Sequence, residues 1–386
     1  MAQIIPPKMI EATQLTLRGK LAEATELIQR VLRRDHGANL PGPTTLQSDS
    51  AAPLAADPQP AAAARREMNT TGLGETLRDL LAKTKNRSLD GKVGRGPGPS
   101  WESVPDGASF ALAQYSNEAG TRPYKLYVPS GRDGHRLPLV VMLHGCTQSA
   151  DDFAAGTQMN NRAEEEGFLV VYPEQSSSAN TSKCWNWFNP KDQRRDQGEL
   201  AIIAGITRQI MIDHAVDGSR VYIAGLSAGG AAAILVAAAY PDIFAAVGVH
   251  SGLAIGAACD VPSAFAAMRE GASGSGRLGV PTIVFHGNQD TTVHPRNGEA
   301  VVMQSIAAMP DLQATIVHGQ VPGGRAYSRS IHTDRSNNVV CEYWSIHGAG
   351  HAWSGGSERG SYTDPQGPNA TLEMLRFFSK ARLASA

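Results

Sequence analysis

Five consecutive residues, Gly225-Leu226-Ser227-Ala228-Gly229, constrain this chain more than any other stretch of it. They are its single G-x-S-x-G, set between a β-branched apolar run ending at Ile223 and an apolar helical run beginning at Ala228. The bare string arises by chance in glycine-rich chains, and 40 of the 386 residues here are glycine. Its position carries the information. A serine at the apex of a sharp strand-to-helix turn is forced into a strained backbone, and glycines two residues to either side let strand and helix approach closely.

The rest of the chain supplies the sheet that such a turn requires. From Gly107 onward, apolar β-like runs alternate with helical ones, the texture of a mainly parallel sheet covered on both faces. An antiparallel pair over 110–115 and 124–128 opens it, followed by a strand over 138–143, a helix over 151–166, a strand over 168–172 and a helix over 198–214. A strand over 220–224, a helix over 228–239 and strands over 244–249 and 282–285 come next. A helix over 297–308, a hairpin between 325 and 346 and a final helix over 369–381 complete the series. This is the element order of an α/β-hydrolase, and it places a catalytic domain at 106–386. Ahead of it, residues 1–35 show apolar positions at helical spacing, among them Ile10, Leu17, Leu21, Ala24, Ile28 and Val31. Residues 36–105 turn to Ala, Pro, Gly, Ser and Arg, the composition of a linker, with one short helix expected around 73–82.

Charge and hydropathy remove several classes of function. Lys plus Arg number 35 against 36 Asp plus Glu, so no overall field favours nucleic acid or an anionic membrane. The longest apolar run, Ala231 to Tyr240, falls short of the roughly 20 residues of a membrane helix. Lys8, Glu11, Arg18 and Lys20 interrupt the place where a signal peptide would carry its apolar segment. The four cysteines, Cys146, Cys184, Cys259 and Cys341, include no C-x-x-C, which argues against a zinc knuckle and leaves open two disulfides or four free thiols.

A serine hydroxyl needs a base within hydrogen-bond reach and an acid to hold that base in the right tautomer. The run after strand 282–285 reads His286-Gly287-Asn288-Gln289-Asp290, and Asp290 is the expected acid. Asp260 and Asp311 are rivals, but neither closes an apolar strand. Gly348-Ala349-Gly350-His351-Ala352-Trp353 precedes the last helix and offers His351 as the base. His144 and His286 precede glycines at strand ends and are expected to orient loops. His347, four residues before His351, could suggest a metal pair, but Gly348 and Gly350 oppose the helix that this spacing needs, so no metal is expected. The oxyanion of the reaction calls for two backbone N–H groups, one from Ala228 and one from Cys146 or Thr147 in the loop after strand 138–143. Trp185, Trp187 and Phe188, with Trp353, read either as the wall of a substrate pocket or as core aromatics beneath a long loop.

Laid out in order, Leu143-His144-Gly145-Cys146-Thr147-Gln148, Tyr172-Pro173-Glu174-Gln175, Cys184-Trp185-Asn186-Trp187-Phe188, Gly225 to Gly230 and Gly350-His351-Ala352-Trp353-Ser354-Gly355-Gly356 make the chain resemble the poly(3-hydroxybutyrate) depolymerase-like serine esterases, with feruloyl and acetylxylan esterases among them. The resemblance covers about 107–378. It implies an α/β-hydrolase fold, a Ser227, His351, Asp290 triad, an acyl-enzyme and no cofactor. The substrates it implies are hydroxyalkanoate oligomers, amorphous polyester, or feruloyl and acetyl esters. It also implies a Cys146–Cys184 disulfide, with Cys259–Cys341 taken as a second pair, and an extracellular or periplasmic setting despite the absence of a visible signal peptide. The family often has Asp where Asn288 stands, which leaves Asp290 alone in that loop. From another class, the chain reads as an interaction or scaffold protein, its 1–35 segment serving self-association or docking on a polymer granule.

Overall fold

Alternation is the first thing the strands show. In β3 (Leu139–Leu143), Leu139, Val141 and Leu143 pack into one hydrophobic core and Val140 and Met142 into another, because successive side chains leave opposite faces of a sheet. Both faces are covered, so the strand reads as an unbroken apolar run. The computed structural model describes residues 104–131, 134–307, 309 and 311–383. The expectations for residues 1–35 and for nearly all of 36–105 lie outside them.

The central sheet has ten strands. Besides β3 they are β1 (Ser109–Asn117), β2 (Gly120–Val128), β4 (Leu169–Pro173), β5 (Val221–Leu226), β6 (Ala246–His250), β7 (Thr282–Gly287), β8 (Gln313–Gln320), β9 (Ala326–Thr333) and β10 (Val339–Ile346), in the spatial order β1-β2-β4-β3-β5-β6-β7-β10-β9-β8. From β4 to β10 all neighbours are parallel, while β1, β2, β9 and β8 extend the two edges antiparallel. Helices α1 (Ala150–Thr157), α2 (Met159–Glu166) and α7 (Ala370–Phe378) cover one face. The other carries α3 (Gly198–Asp213), α4 (Ala228–Ala239), α5 (Val261–Glu270) and α6 (Arg296–Ile306). This is the α/β-hydrolase architecture expected from the element order.

The departures have identifiable causes. The single helix expected over 151–166 is two, broken where Gln158 adopts φ 56°. The Gly156 carbonyl accepts from Ser357 N and the Thr157 carbonyl from Thr371 Oγ1 (2.7 Å), so a distant segment captures the turn. Helix α5, absent from the reading, is announced by an Asp260 cap that accepts from Ser263 N (2.8 Å). Strand β8 likewise lies outside the expected elements, because its largely exposed residues lack the apolar run that marks a buried strand. The carboxyl ends of the parallel strands gather the loops after β3, β5, β7 and β10 on one rim, where an open α/β sheet offers a crevice.

Candidate active site

Ser227 occupies the turn between β5 and α4 with φ 58° and ψ −121°, outside the regions that a residue with a Cβ prefers. Such a backbone costs of order 1–3 kcal/mol and persists only where the surroundings enforce it. Here the Ser227 amide donates to the His250 carbonyl (2.8 Å), and a Cβ on Gly225 or Gly229 would lie 2.3 Å from the Gly229 oxygen or 2.1 Å from the Leu143 oxygen. Those two glycines are therefore a packing requirement of the turn.

His351 and Asp290 meet directly, with His351 Nδ1 2.7 Å from Asp290 Oδ2. The loop after β7 wraps the carboxylate, Oδ1 accepting from the amides of Thr292 (2.9 Å) and Val293 (2.8 Å), and His286 Nε2 stands 3.5 Å from Oδ2. Burial alone would raise this carboxyl. The neighbouring His351 ring and the hydrogen bonds from His286 and His351 outweigh it and hold Asp290 well below the ordinary carboxylate range. Ser227 and His351 line one cleft with Gly145, Gln148, Thr292 and Tyr362 and the apolar Leu226 and Met268. The rival acids lie elsewhere, since Asp260 caps α5 and Asp311 pairs with Arg335 on the surface. Nor does His347 join the site, its Nε2 lying 2.9 Å from Ser328 Oγ.

The loop after β3 is braced from several directions. Thr147 N donates to the Ser182 carbonyl (2.7 Å), which engages that amide and leaves Cys146 as the candidate donor beside Ala228. Gly145 N donates to Gln148 Oε1 (2.9 Å), and the Cys146–Cys184 disulfide ties the loop to 174–197. Buried His144 accepts the Gln175 amide on Nε2 (3.0 Å), so its Nδ1 carries the hydrogen toward the Gly145 carbonyl (2.7 Å). Burial lowers its pKa, in keeping with a neutral ring that orients a loop. Glu199, buried, gathers Gln175 Nε2, Asn186 N and Nδ2 and Arg122, and so anchors the far end of the same segment.

Other expectations need correction. Cys259 and Cys341 do not pair. Cys259 is exposed before α5, while Cys341 is buried in β10, where burial pushes its thiol up to about 12. Trp353 does not wall a pocket. It is 1% exposed, packs edge-on to Phe153, stacks on His250 and donates to Thr371 Oγ1 (3.1 Å). Trp185, fully buried, donates to the His144 carbonyl (3.1 Å) and supports the loop from beneath. Of the three tryptophans, Trp187 alone faces a cleft. That cleft opens beside Ser227 and is lined by the disulfide, Phe188, Leu253, Val293 and one face of α5.

Four further groups contribute to the site. Val261, Ala264, Phe265 and Met268 of α5 line the cleft at i, i+3, i+4 and i+7, a helical stripe visible in the sequence. Asn288 Oδ1 accepts from Gly348 N (2.8 Å) and so steadies the approach to His351. His250 holds Ser227 N through its carbonyl and accepts Ser354 N on Nε2 (2.9 Å), joining the serine turn to the histidine loop. Tyr362 lies on the His351 side of the site. No sequence signal marks the last two. Among the described residues no group of three or more His, Cys, Asp or Glu could hold a metal ion, and no helix is long and apolar enough to cross a membrane.

A family model described as Esterase PHB depolymerase matches residues 122–327, over half of the chain. Poly(3-hydroxyalkanoate) depolymerase C of Paucimonas lemoignei is 34% identical over 273 residues, covering 64% of this chain and 63% of the relative. The chain thus spans less than two thirds of that relative's length. Feruloyl esterase B of Thermothelomyces thermophilus is 33% identical over 221 residues, covering 50% of this chain and 74% of the relative. Among solved structures, acetyl xylan esterase from Aspergillus awamori superposes with a TM-score of 0.53 at 20% identity, over 70% of this chain and all of that one, a likeness of fold.

Proposed function

The chain belongs to the PHB depolymerase esterase family, and from that premise we propose that it hydrolyses carboxylic esters through an acyl-enzyme on Ser227. The observation that carries the reading is a strained serine sharing a cleft with a histidine whose Nδ1 is bound, at 2.7 Å, by a buried carboxylate. Asp290 keeps the His351 proton on Nδ1, so Nε2 is the nitrogen that takes the Ser227 proton as the hydroxyl attacks the ester carbonyl. The amides of Cys146 and Ala228 stabilise the resulting oxyanion, a contribution of about 2.7–4 kcal/mol per donor in the barrier. His351 then protonates the departing alcohol, and water, activated by the same ring, releases the acid. No step calls for a metal or cofactor.

Two clefts flank Ser227, and chemistry assigns them. The alcohol must leave beside the group that protonates it, so the cleft containing His351 takes the alcohol half. The other, walled by Trp187, Phe188, Phe265 and Met268, takes the acyl half. A wall of aromatic and aliphatic side chains suits a hydroxyalkanoyl or aryl acyl group, which has apolar surface to bury, better than acetate. Ester-linked hydroxyalkanoate oligomers and feruloyl-type esters are accordingly the proposed substrates, ahead of acetylated polysaccharide.

Ser227→Ala is the direct test. Turnover of p-nitrophenyl butyrate should vanish while the circular dichroism spectrum and melting curve stay as in the parent, and undiminished turnover would end the proposal.

A further inference from the structure

We propose that Tyr362 and Thr147 form a subsite for the alcohol half of the ester, one that favours an alcohol bearing a second oxygen over a plain alkyl alcohol. The assignment rests on the reading of Ser227 and His351 given above.

Tyr362 lines the cleft that contains His351, and its hydroxyl lies 3.2 Å from Thr147 Oγ1, across 215 residues of chain. Both have positive φ, 54° for Tyr362 and 67° for Thr147, although neither is glycine. For a β-branched or bulky residue this is an outlier that its surroundings must enforce. They do so by hydrogen bonds. Thr147 N is held by the Ser182 carbonyl (2.7 Å), and the Tyr362 carbonyl accepts from Trp353 N (2.7 Å). The adjoining Ser361 is fastened to the oxyanion loop, its carbonyl accepting from Gln148 Nε2 (3.2 Å) and its amide donating to Asp152 Oδ1 (2.9 Å). Tyr362 is thereby fixed in the lining of the cleft, and Thr147, exposed just outside that lining, is held against its hydroxyl.

Their hydrogen-bond capacity is not exhausted by each other. Each hydroxyl has one hydrogen and two lone pairs, so a single mutual bond leaves one O–H and several lone pairs. Among the described residues neither hydroxyl has another partner. The free capacity suits a hydroxyl or ester carbonyl set close to the scissile oxygen, as in a polyol or the next unit of an oligoester. The acyl cleft, walled by aromatic and aliphatic groups, has no counterpart to this pair.

The test uses the full chain and two esters with a common acyl group, ethyl butyrate and 2-hydroxyethyl butyrate. Both pass through the same acyl-enzyme, so any difference in kcat/KM arises in acylation, where the alcohol is still present. Each value is divided by the ester's hydroxide-catalysed rate to remove intrinsic reactivity. The parent should favour the hydroxyethyl ester by about fivefold, as one neutral hydrogen bond allows. Tyr362→Phe and Thr147→Val should each move that ratio toward one, and Thr147→Ser should keep it. A parent ratio near one, or a ratio unmoved by both variants, overturns the subsite, because a purely structural strap would slow both esters alike. If Ser227→Ala still hydrolyses both esters, the catalytic assignment has failed instead, which is a separate result.

Discussion

The two sides of Ser227, proposed for the acyl and the alcohol half of the ester, share an apolar base but differ in what is added to it. On the acyl side, helix α5 and the 174–197 loop bring Phe265, Met268, Trp187 and Phe188 together, and the wall is apolar. On the other side, the stretch after His351 is fastened to the oxyanion loop through Gln148, Asp152, Ser361, Tyr362 and Thr147, and the wall, still largely apolar and sharing Met268, adds polar groups from Gln148, Thr292 and Tyr362. Apolar walls discriminate by area, about 0.8 kcal/mol per methylene, and tolerate near misses. Hydrogen-bonding groups discriminate by matching, a neutral bond returning about 0.5–1.5 kcal/mol net. Acyl preference should therefore follow the apolar area of the acyl group, and alcohol preference the presence of a second oxygen.

The largest effect should leave that contrast intact. Asp290→Asn removes the acceptor that fixes the His351 tautomer and should lower kcat by about 10⁴, while the ranking of acyl and alcohol groups is preserved in steady-state kinetics. A changed ranking would mean that Asp290 shapes a pocket as well as holding the base. A smaller effect separates the two sides. Phe265→Ala enlarges the acyl cleft and should reduce the butyrate-over-acetate preference by about tenfold, on the order of one to two buried methylenes, without moving the ratio of hydroxyethyl to ethyl ester. Equal shifts in both ratios would show one continuous pocket.

The mildest effect concerns the link between the halves. Burial, reinforced by His286 and His351, lowers the His250 pKa well below the ordinary histidine value. The unfolded chain, whose histidines titrate near 6.5, then binds a proton that the folded chain refuses. Stability should be full above about pH 6.5 and fall as the pH drops from there toward the folded-state value, by at most about 1.4 kcal/mol per pH unit for this group. Denaturant melts at pH 7, 6 and 5 should show the decline, and His250→Gln should flatten it. An unchanged slope in the variant would assign the decline to other groups, buried His144 first among them.

Particular residues show why some of the site was readable in the chain and some was not. Ser227 stood out because a strained turn needs glycines at fixed offsets, and Asp290 and His351 because each follows a recognisable strand with flexible residues around it. The strands β3 to β7 were legible because burial on both faces forces apolar runs. The split between α1 and α2 at Gln158 was not, since the partners that capture the turn, Ser357 and Thr371, lie some 200 residues away. Trp185 and Trp353 misled for a related reason. An aromatic beside a catalytic motif in sequence can face either way, and here both indoles turn inward to hydrogen-bond partners. Nor does the sequence show that the Ser182 carbonyl engages the Thr147 amide, the contact that favours Cys146 in the proposed oxyanion hole.

Local order alone determined the strand-turn-helix around Ser227, the main succession of elements and the loops that carry Asp290 and His351, because each depends on periodicity or on glycine at a known offset. Tertiary structure decided which tryptophan meets a cleft, which cysteines bond, how His250 joins two loops and how Tyr362 reaches Thr147. Those relations join residues tens to hundreds of positions apart, and no periodicity in a linear chain encodes the distance between two segments that meet only after the sheet has formed.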